Sequence, residues 1–111
     1  MKRSVEAVPG EVPLELRIGH LLRISGYLEI AVLSMWAQRR AEGMIGMAEA
    51  SMRDVGPGGP KEPDEELLDK LRELVGEARE YHAADDFPAA MARMRVAEDL
   101  VALRIIRLVG E

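Results

Sequence analysis

The sequence has no cysteine, asparagine or threonine, and Gln38 is its single glutamine. Without cysteine there can be no disulfide scaffold, no cysteine-ligated zinc or iron–sulfur site and no thiol nucleophile. Aromatic residues are only 4% of the chain, with one Trp, one Phe and two Tyr. Strands draw on threonine and aromatics, which are scarce here. Helices draw on Ala, Leu, Glu, Arg and Met, which are abundant. Residues 1–12 lack the apolar run of a signal peptide, and no continuous apolar stretch reaches the roughly 20 residues of a membrane span. The expectation is a cytoplasmic protein without membrane contact.

The chain has 111 residues, 48% of them hydrophobic and 32% charged, with a net charge of −5. That length is one domain's worth. The apolar fraction is too high for a disordered segment. Arginine outnumbers lysine by 12 to 3. Few amides and many ionic groups fit a thermophile, although a GC-rich genome produces the same arginine bias.

The organisation reads as all-α. Residues 1–12 form an irregular arm, and Pro13 suits the first turn of a helix, where no N–H is needed. No proline interrupts residues 14–53. As a single helix this stretch would be about 58 Å long, against a radius of gyration of about 13 Å for a compact chain of this size. It must therefore kink, with Gly43 and Gly46 as the expected break points, or project onto a partner. Residues 55–63, with three prolines and three glycines, are a linker. Residues 64–109 then form an antiparallel helical hairpin. Asp64 is placed to cap its first helix, whose apolar side carries Leu67, Leu68, Leu71, Leu74, Val75, Ala78, Tyr81 and His82. Asp85-Asp86-Phe87-Pro88 marks a turn and a new helix start. The second helix shows a stripe of Ala90, Met94, Ala97, Val101, Ile105 and Leu108, widened by Val96, Leu100, Leu103 and Ile106. The expected fold is a bundle of three to four helices, completed by dimerisation.

The case for a dimer rests on residues 24–37, ISGYLEIAVLSMWA, which are apolar nearly all round and carry one charge, Glu29. One hairpin covers only part of such a helix. A second copy, in the simplest case through a C2 axis, would cover the rest. The expected interface residues are Leu28, Val32, Met35, Trp36, Leu100 and Leu103. Trp36 and the methionines, among them Met35, Met44, Met47, Met91 and Met94, read as gap-filling core.

Few residues could carry chemistry. His82 lies on an apolar helix face, where a packed histidine bonded through one nitrogen is the favoured reading over a ligand or base. Glu29, alone among apolar neighbours, reads as a buried carboxylate paired with Arg40, Arg93 or an arginine of the partner chain. The sharper reading is a functional acid that keeps its proton through burial. Arg93, Arg104 and Arg107 fall within about 60° on one helix and could touch phosphates. With an acidic chain and no interleaved aromatics, ion pairing is the favoured role for them. No phosphate-binding glycine loop and no nucleophile motif is present. No cofactor and no metal is implied.

Two resemblances add to this. Glu65-Glu66-Leu67-Leu68-Asp69 resembles the paired-acid start of all-α nucleotide pyrophosphohydrolases, which hold magnesium between acidic helices. Their second E-x-x-D has no counterpart in Glu98-Asp99, whose spacing differs. Asp86-Phe87-Pro88-Ala89-Ala90, followed by Ala97-Glu98-Asp99-Leu100-Val101-Ala102-Leu103, resembles the hairpin of HEPN-type prokaryotic domains and of short archaeal helical proteins, and more loosely a tetratricopeptide hairpin. The HEPN resemblance covers about 30 residues and implies a four- or five-helix bundle that dimerises. Many members of that family are ribonucleases with an R-x(4–6)-H motif. Here the two histidines stand in Arg17-Ile18-Gly19-His20 and Arg79-Glu80-Tyr81-His82, at other spacings and positions, so the resemblance implies RNA or nucleotide binding without nuclease activity. The functions weighed are thus a self-associating scaffold or accessory subunit with a possible protein partner, a HEPN-like RNA- or nucleotide-binding domain, and a small enzyme using Glu29 or His82 in an interhelical pocket.

Overall fold

A computed structural model describes residues 12–53 and 63–110. Four helices run in chain order: α1 (Leu14–Trp36), α2 (Glu42–Arg53), α3 (Glu65–Ala83) and α4 (Phe87–Gly110). Among the described residues there is no strand. The expected N-terminal arm and the Gly/Pro linker fall almost wholly outside the described residues.

Each helix packs against two neighbours in a ring: α1 on α2 and α4, α3 on α2 and α4. Sequence neighbours are antiparallel: short connections require it for α1–α2 and α3–α4, and for α2–α3 Arg72 meets Met52 while Arg79 meets Glu49. The closing pair, α1 and α4, is antiparallel too, because Arg17 near the start of α1 and Arg104 near the end of α4 meet at one carboxylate, that of Asp64. Apolar stripes explain the ring. The main stripes expected for α3 and α4 are buried, with only Tyr81 and Ile105 half-exposed at their margins, but of the residues expected to widen the α4 stripe Val96, Leu103 and Ile106 are exposed and Leu100 is half-buried. The main stripes meet Leu21, Ile24, Leu28, Ala31 and Met35 from α1 and Ile45, Ala48 and Met52 from α2 in one core. By length and composition α1 could cross a membrane, but seven of its residues lie inside the bundle.

The break between α1 and α2 corrects the expected geometry. The chain leaves the helix after Trp36, and Gly43 and Gly46 lie within α2. Gly43 has open space around it, and Gly46 faces only the tip of Arg79, so both are tolerated inside a helix. The stop is made by Gln38, whose φ is 60°. Gln38 N–H donates to Met35 O at 2.9 Å and Arg39 N–H to Ser34 O at 2.8 Å. This pair of bonds is the Schellman closure, which needs one left-handed residue just past the helix. The same closure ends α3: Asp85 has φ 61°, with Asp85 N–H on His82 O at 3.0 Å and Asp86 N–H on Tyr81 O at 2.9 Å. Asp86 then starts α4 by accepting the Ala89 N–H on its side chain, as the Asp-Phe-Pro pattern predicts.

Polar side chains pin the helices laterally. Arg79 holds Glu49 in a forked pair with distances from 2.6 to 3.1 Å. Arg72 donates twice to Met52 O, at 3.0 and 2.6 Å, satisfying a carbonyl at the end of α2. His20, buried in α1, shares a 2.9 Å hydrogen bond with Ser51 O of α2, so its Nε2 carries the proton.

Candidate functional site

The candidate residues do not converge on one place. His82 is 2% exposed. Its Nε2 accepts the N–H of Ala41 at 3.1 Å, and its ring stacks on Phe87 with centroids 5.2 Å apart and planes 16° apart. This is a packed histidine bonded through one nitrogen. It satisfies a buried backbone donor in the α1–α2 connection, which would otherwise cost about 1–3 kcal/mol. The ring is therefore committed to the core.

Glu29 overturns the expectation of burial. It is exposed on the outer side of α1, and among the described residues it has no hydrogen-bonded or ion-paired partner. The reason is geometric. The bundle encloses only one side of α1, and Glu29 falls on the other. The nearest electrostatic consequence is on α4. Burial holds the Glu98 proton more tightly than usual, and the charges of Glu29 and Asp99 add to this, while Arg95 opposes it.

Of the three arginines, two are ion-paired within the bundle. Arg93 Nε donates to Glu77 at 2.9 Å, and its guanidinium lies over the Tyr81 ring at 5.1 Å. Arg104 donates to Asp64 at 2.6 Å. Only Arg107 lacks a partner among the described residues. Two of the three charges are thus neutralised within the bundle. The acids at the start of α3 are spent similarly, since Glu65 and Asp69 both accept from Arg72. Among the described residues no group of three His, Asp or Glu side chains is placed to hold a metal ion.

Sequence reasoning missed Asp64 as more than a cap. Its side chain makes no cap hydrogen bond. Instead the carboxylate, 1% exposed, accepts from Arg17 at 2.8 and 3.1 Å and from Arg104 at 2.6 Å. Burial by itself would raise its pKa, but the hydrogen bonds and charges of the two guanidiniums outweigh that and hold the carboxyl below the usual carboxylate range. The cluster ties the ends of α1 and α4 to the start of α3.

The six expected interface residues divide. Leu28, Val32 and Met35 are buried by the chain's own helices, so they are core and not interface. Leu100 is half-buried against that core. Trp36 and Leu103 are 71% and 60% exposed. Trp36 is therefore no gap-filler, and neither is Met47, which is also exposed. The apolar surface that remains lies elsewhere on the same helices. On α1, Leu22, Ile30, Leu33 and Trp36 are exposed and fall within about 120° of one another at 3.6 residues per turn. On α4, Val96, Leu103, Ile106 and Val109 are exposed within about 140°. α1 and α4 pack side by side, and each stripe lies on its helix's outer side, opposite the buried one. Glu29 lies in the α1 stripe, and Asp99, Arg95 and Arg107 border the α4 stripe, all exposed. Gly26 also lies in the α1 stripe, with nothing within 4 Å of where a Cβ would sit.

Comparison with models of known protein families, with curated proteins and with solved structures finds no match to this chain.

Proposed function

We propose that this protein is a self-associating helical scaffold or accessory subunit, in which two copies meet through the outer flank of α1 and α4. The observation that carries this reading is the exposed apolar surface there, from Leu22 to Trp36 on one helix and from Val96 to Val109 on the other. Monomeric proteins rarely expose contiguous apolar patches beyond a few hundred Å². Eight large side chains, each about half-exposed or more, supply area on the order of the roughly 800 Å² that one partner contributes to a standard interface. The flank also suits a second copy in charge. It carries two acids, Glu29 and Asp99, and two bases, Arg95 and Arg107. A two-fold axis sets the same surface against itself, so acid can face base across it, and the small Gly26 leaves room for close approach.

Sedimentation equilibrium on the full chain tests this. The expected result is twice the protomer mass at micromolar concentration. Leu33→Glu and Leu103→Glu change exposed positions, so each should return the protein to the protomer mass with its helical content intact. A protomer mass for the unsubstituted chain at all concentrations, or a dimer indifferent to both substitutions, overturns the reading.

A further inference from the structure

A cleft of about 470 Å³ lies at the end of the bundle where both hairpin connections emerge, walled by Trp36 and Met35 from α1, Phe87 and Met91 from α4, and the connection residues Gln38 and Asp85. That volume is within the range of small-molecule sites, which are mostly apolar with a few placed polar groups. We propose that this cleft binds a small organic cation, an ammonium carrying an apolar group, with Asp85 as its counter-charge and the Trp36 and Phe87 rings as its walls.

Three features of the cleft support a site there, and the first of them sets the ligand class. The first is its chemistry. Trp36, Phe87, Met91 and the almost wholly buried Met35 line it, and Asp85 is the single charged residue among its walls. Aromatic faces attract cations through the ring quadrupole, polarizable methionine sulfurs fit irregular apolar groups, and a carboxylate completes the charge match. An anion would meet Asp85 as a repulsion. The charge of Arg40 acts on Asp85 at a distance, but the Arg40 guanidinium hydrogen-bonds Glu42 and not Asp85.

The second is backbone cost. Gln38 and Asp85 are the only non-glycine residues with positive φ among the described residues, and both line this cleft. Each occupies the left-handed position of a Schellman closure, where glycine is the unstrained choice. Two helices therefore end with a polar side chain in place of the residue that would fit best, and both side chains belong to the same cleft. Strain of this kind concentrates at ligand sites.

The third is rigidity. Phe87 stacks on His82, and His82 is itself fixed by the Ala41 N–H. One aromatic wall is thus anchored to the core, which lowers the ordering cost of binding.

Trp36 is the protein's single tryptophan, so its fluorescence reads the cleft directly. The full chain is titrated with phenethylamine, with phenethyl alcohol as the uncharged analogue and 3-phenylpropionate as the anionic one. The expected result is a saturable change in Trp36 emission with phenethylamine at millimolar or lower concentration, with affinity about tenfold weaker for the alcohol and no response to the anion. Asp85→Asn keeps a residue that tolerates left-handed backbone, and should erase the preference for the amine while leaving helical content unchanged. No saturable response, equal affinity for all three compounds, or an amine preference that survives Asp85→Asn overturns the proposal. Trp36 also lies on the proposed α1–α4 flank, so the titration is repeated on Leu103→Glu, held at the protomer mass: the same amine preference there separates this proposal from the dimer reading, and its loss overturns the proposal.

Discussion

Arg104 reaches Asp64 across 40 residues of sequence, with Nη1 2.6 Å from Oδ1, and shares that carboxylate with Arg17 from the opposite end of the chain. Three helices thus meet at one buried negative charge with two positive neighbours among the described residues. A buried ion pair is costly to assemble and costlier to break, because removing one partner strands the others. Asp64→Asn should therefore destabilise the fold by about 2–4 kcal/mol, the lower end reflecting two guanidiniums that remain partly in water. Arg104→Met should cost less, since Arg17 still neutralises the carboxylate. Urea denaturation of the two variants checks this ordering.

Two carboxyls move in opposite directions with pH. Asp64 has its proton affinity lowered by the fold. Its stabilising contribution is fully present above the unfolded carboxylate value of about 3.9, and is lost as pH falls through the lower, folded value. Glu98 has its affinity raised, first by burial and then by Glu29 and Asp99. Its ionisation opposes folding above the folded value, and the cost disappears below the unfolded value of about 4.3. Glu98→Gln should thus stabilise the protein at neutral pH, by roughly 0.5 kcal/mol given its partial exposure, and the gain should vanish near pH 4. Asp64→Asn should show the reverse, a loss at neutral pH that shrinks in strong acid. Thermal melts across pH 3–8 distinguish the two.

Much of this architecture is written in local pattern, and the failures are equally physical. The α3–α4 hairpin is legible because its apolar residues recur at helical spacing and the main stripe of each helix is buried, although Val96, Leu103 and Ile106, read as widening the α4 stripe, face outward. The Asp86-Phe87-Pro88 start is legible because capping chemistry is local. The end of α1 is not, because Gln38 makes a left-handed closure without a glycine to announce it, while Gly43 and Gly46 advertise a break that does not occur. Residues 24–37 suggest enclosure on all sides, but a ring of four helices covers only one side of each, which leaves Leu33, Trp36 and Glu29 outside. Asp64 reads as a cap because its arginine partners lie 47 and 40 residues away, beyond any local signal.

His82 should act as a structural clasp on the α1–α2 connection. Its Nε2 accepts from Ala41 N–H, and Ala41 is itself buried. His82→Leu keeps the apolar packing but leaves that donor unsatisfied, at an expected cost of about 1–3 kcal/mol. His82→Gln, whose amide oxygen can accept, should recover part of it. Residue-resolved hydrogen exchange provides the specific readout: the Ala41 amide should lose protection in the Leu variant by more than global unfolding accounts for. Protection unchanged at Ala41 would mean the bond contributes little.

Stability and occupancy should trade against each other at the two helix ends. A non-glycine residue held in left-handed conformation costs about 1 kcal/mol or more, and glycine there recovers most of it after its own larger unfolded-state entropy is subtracted. Gln38→Gly should therefore raise stability by roughly 0.5–1 kcal/mol. Asp85→Gly should raise it by less, because aspartate tolerates that conformation better than glutamine. A gain of this size moves the melting midpoint of a chain of about 100 residues by a few degrees, which calorimetry resolves. If both substitutions stabilise while Asp85→Gly also erases the preference of the Trp36 response for phenethylamine over the alcohol, the left-handed aspartate is kept for the cleft and not for the fold. If either substitution destabilises, its side chain makes a contribution to the folded state that outweighs the strain, and the trade-off fails at that helix end.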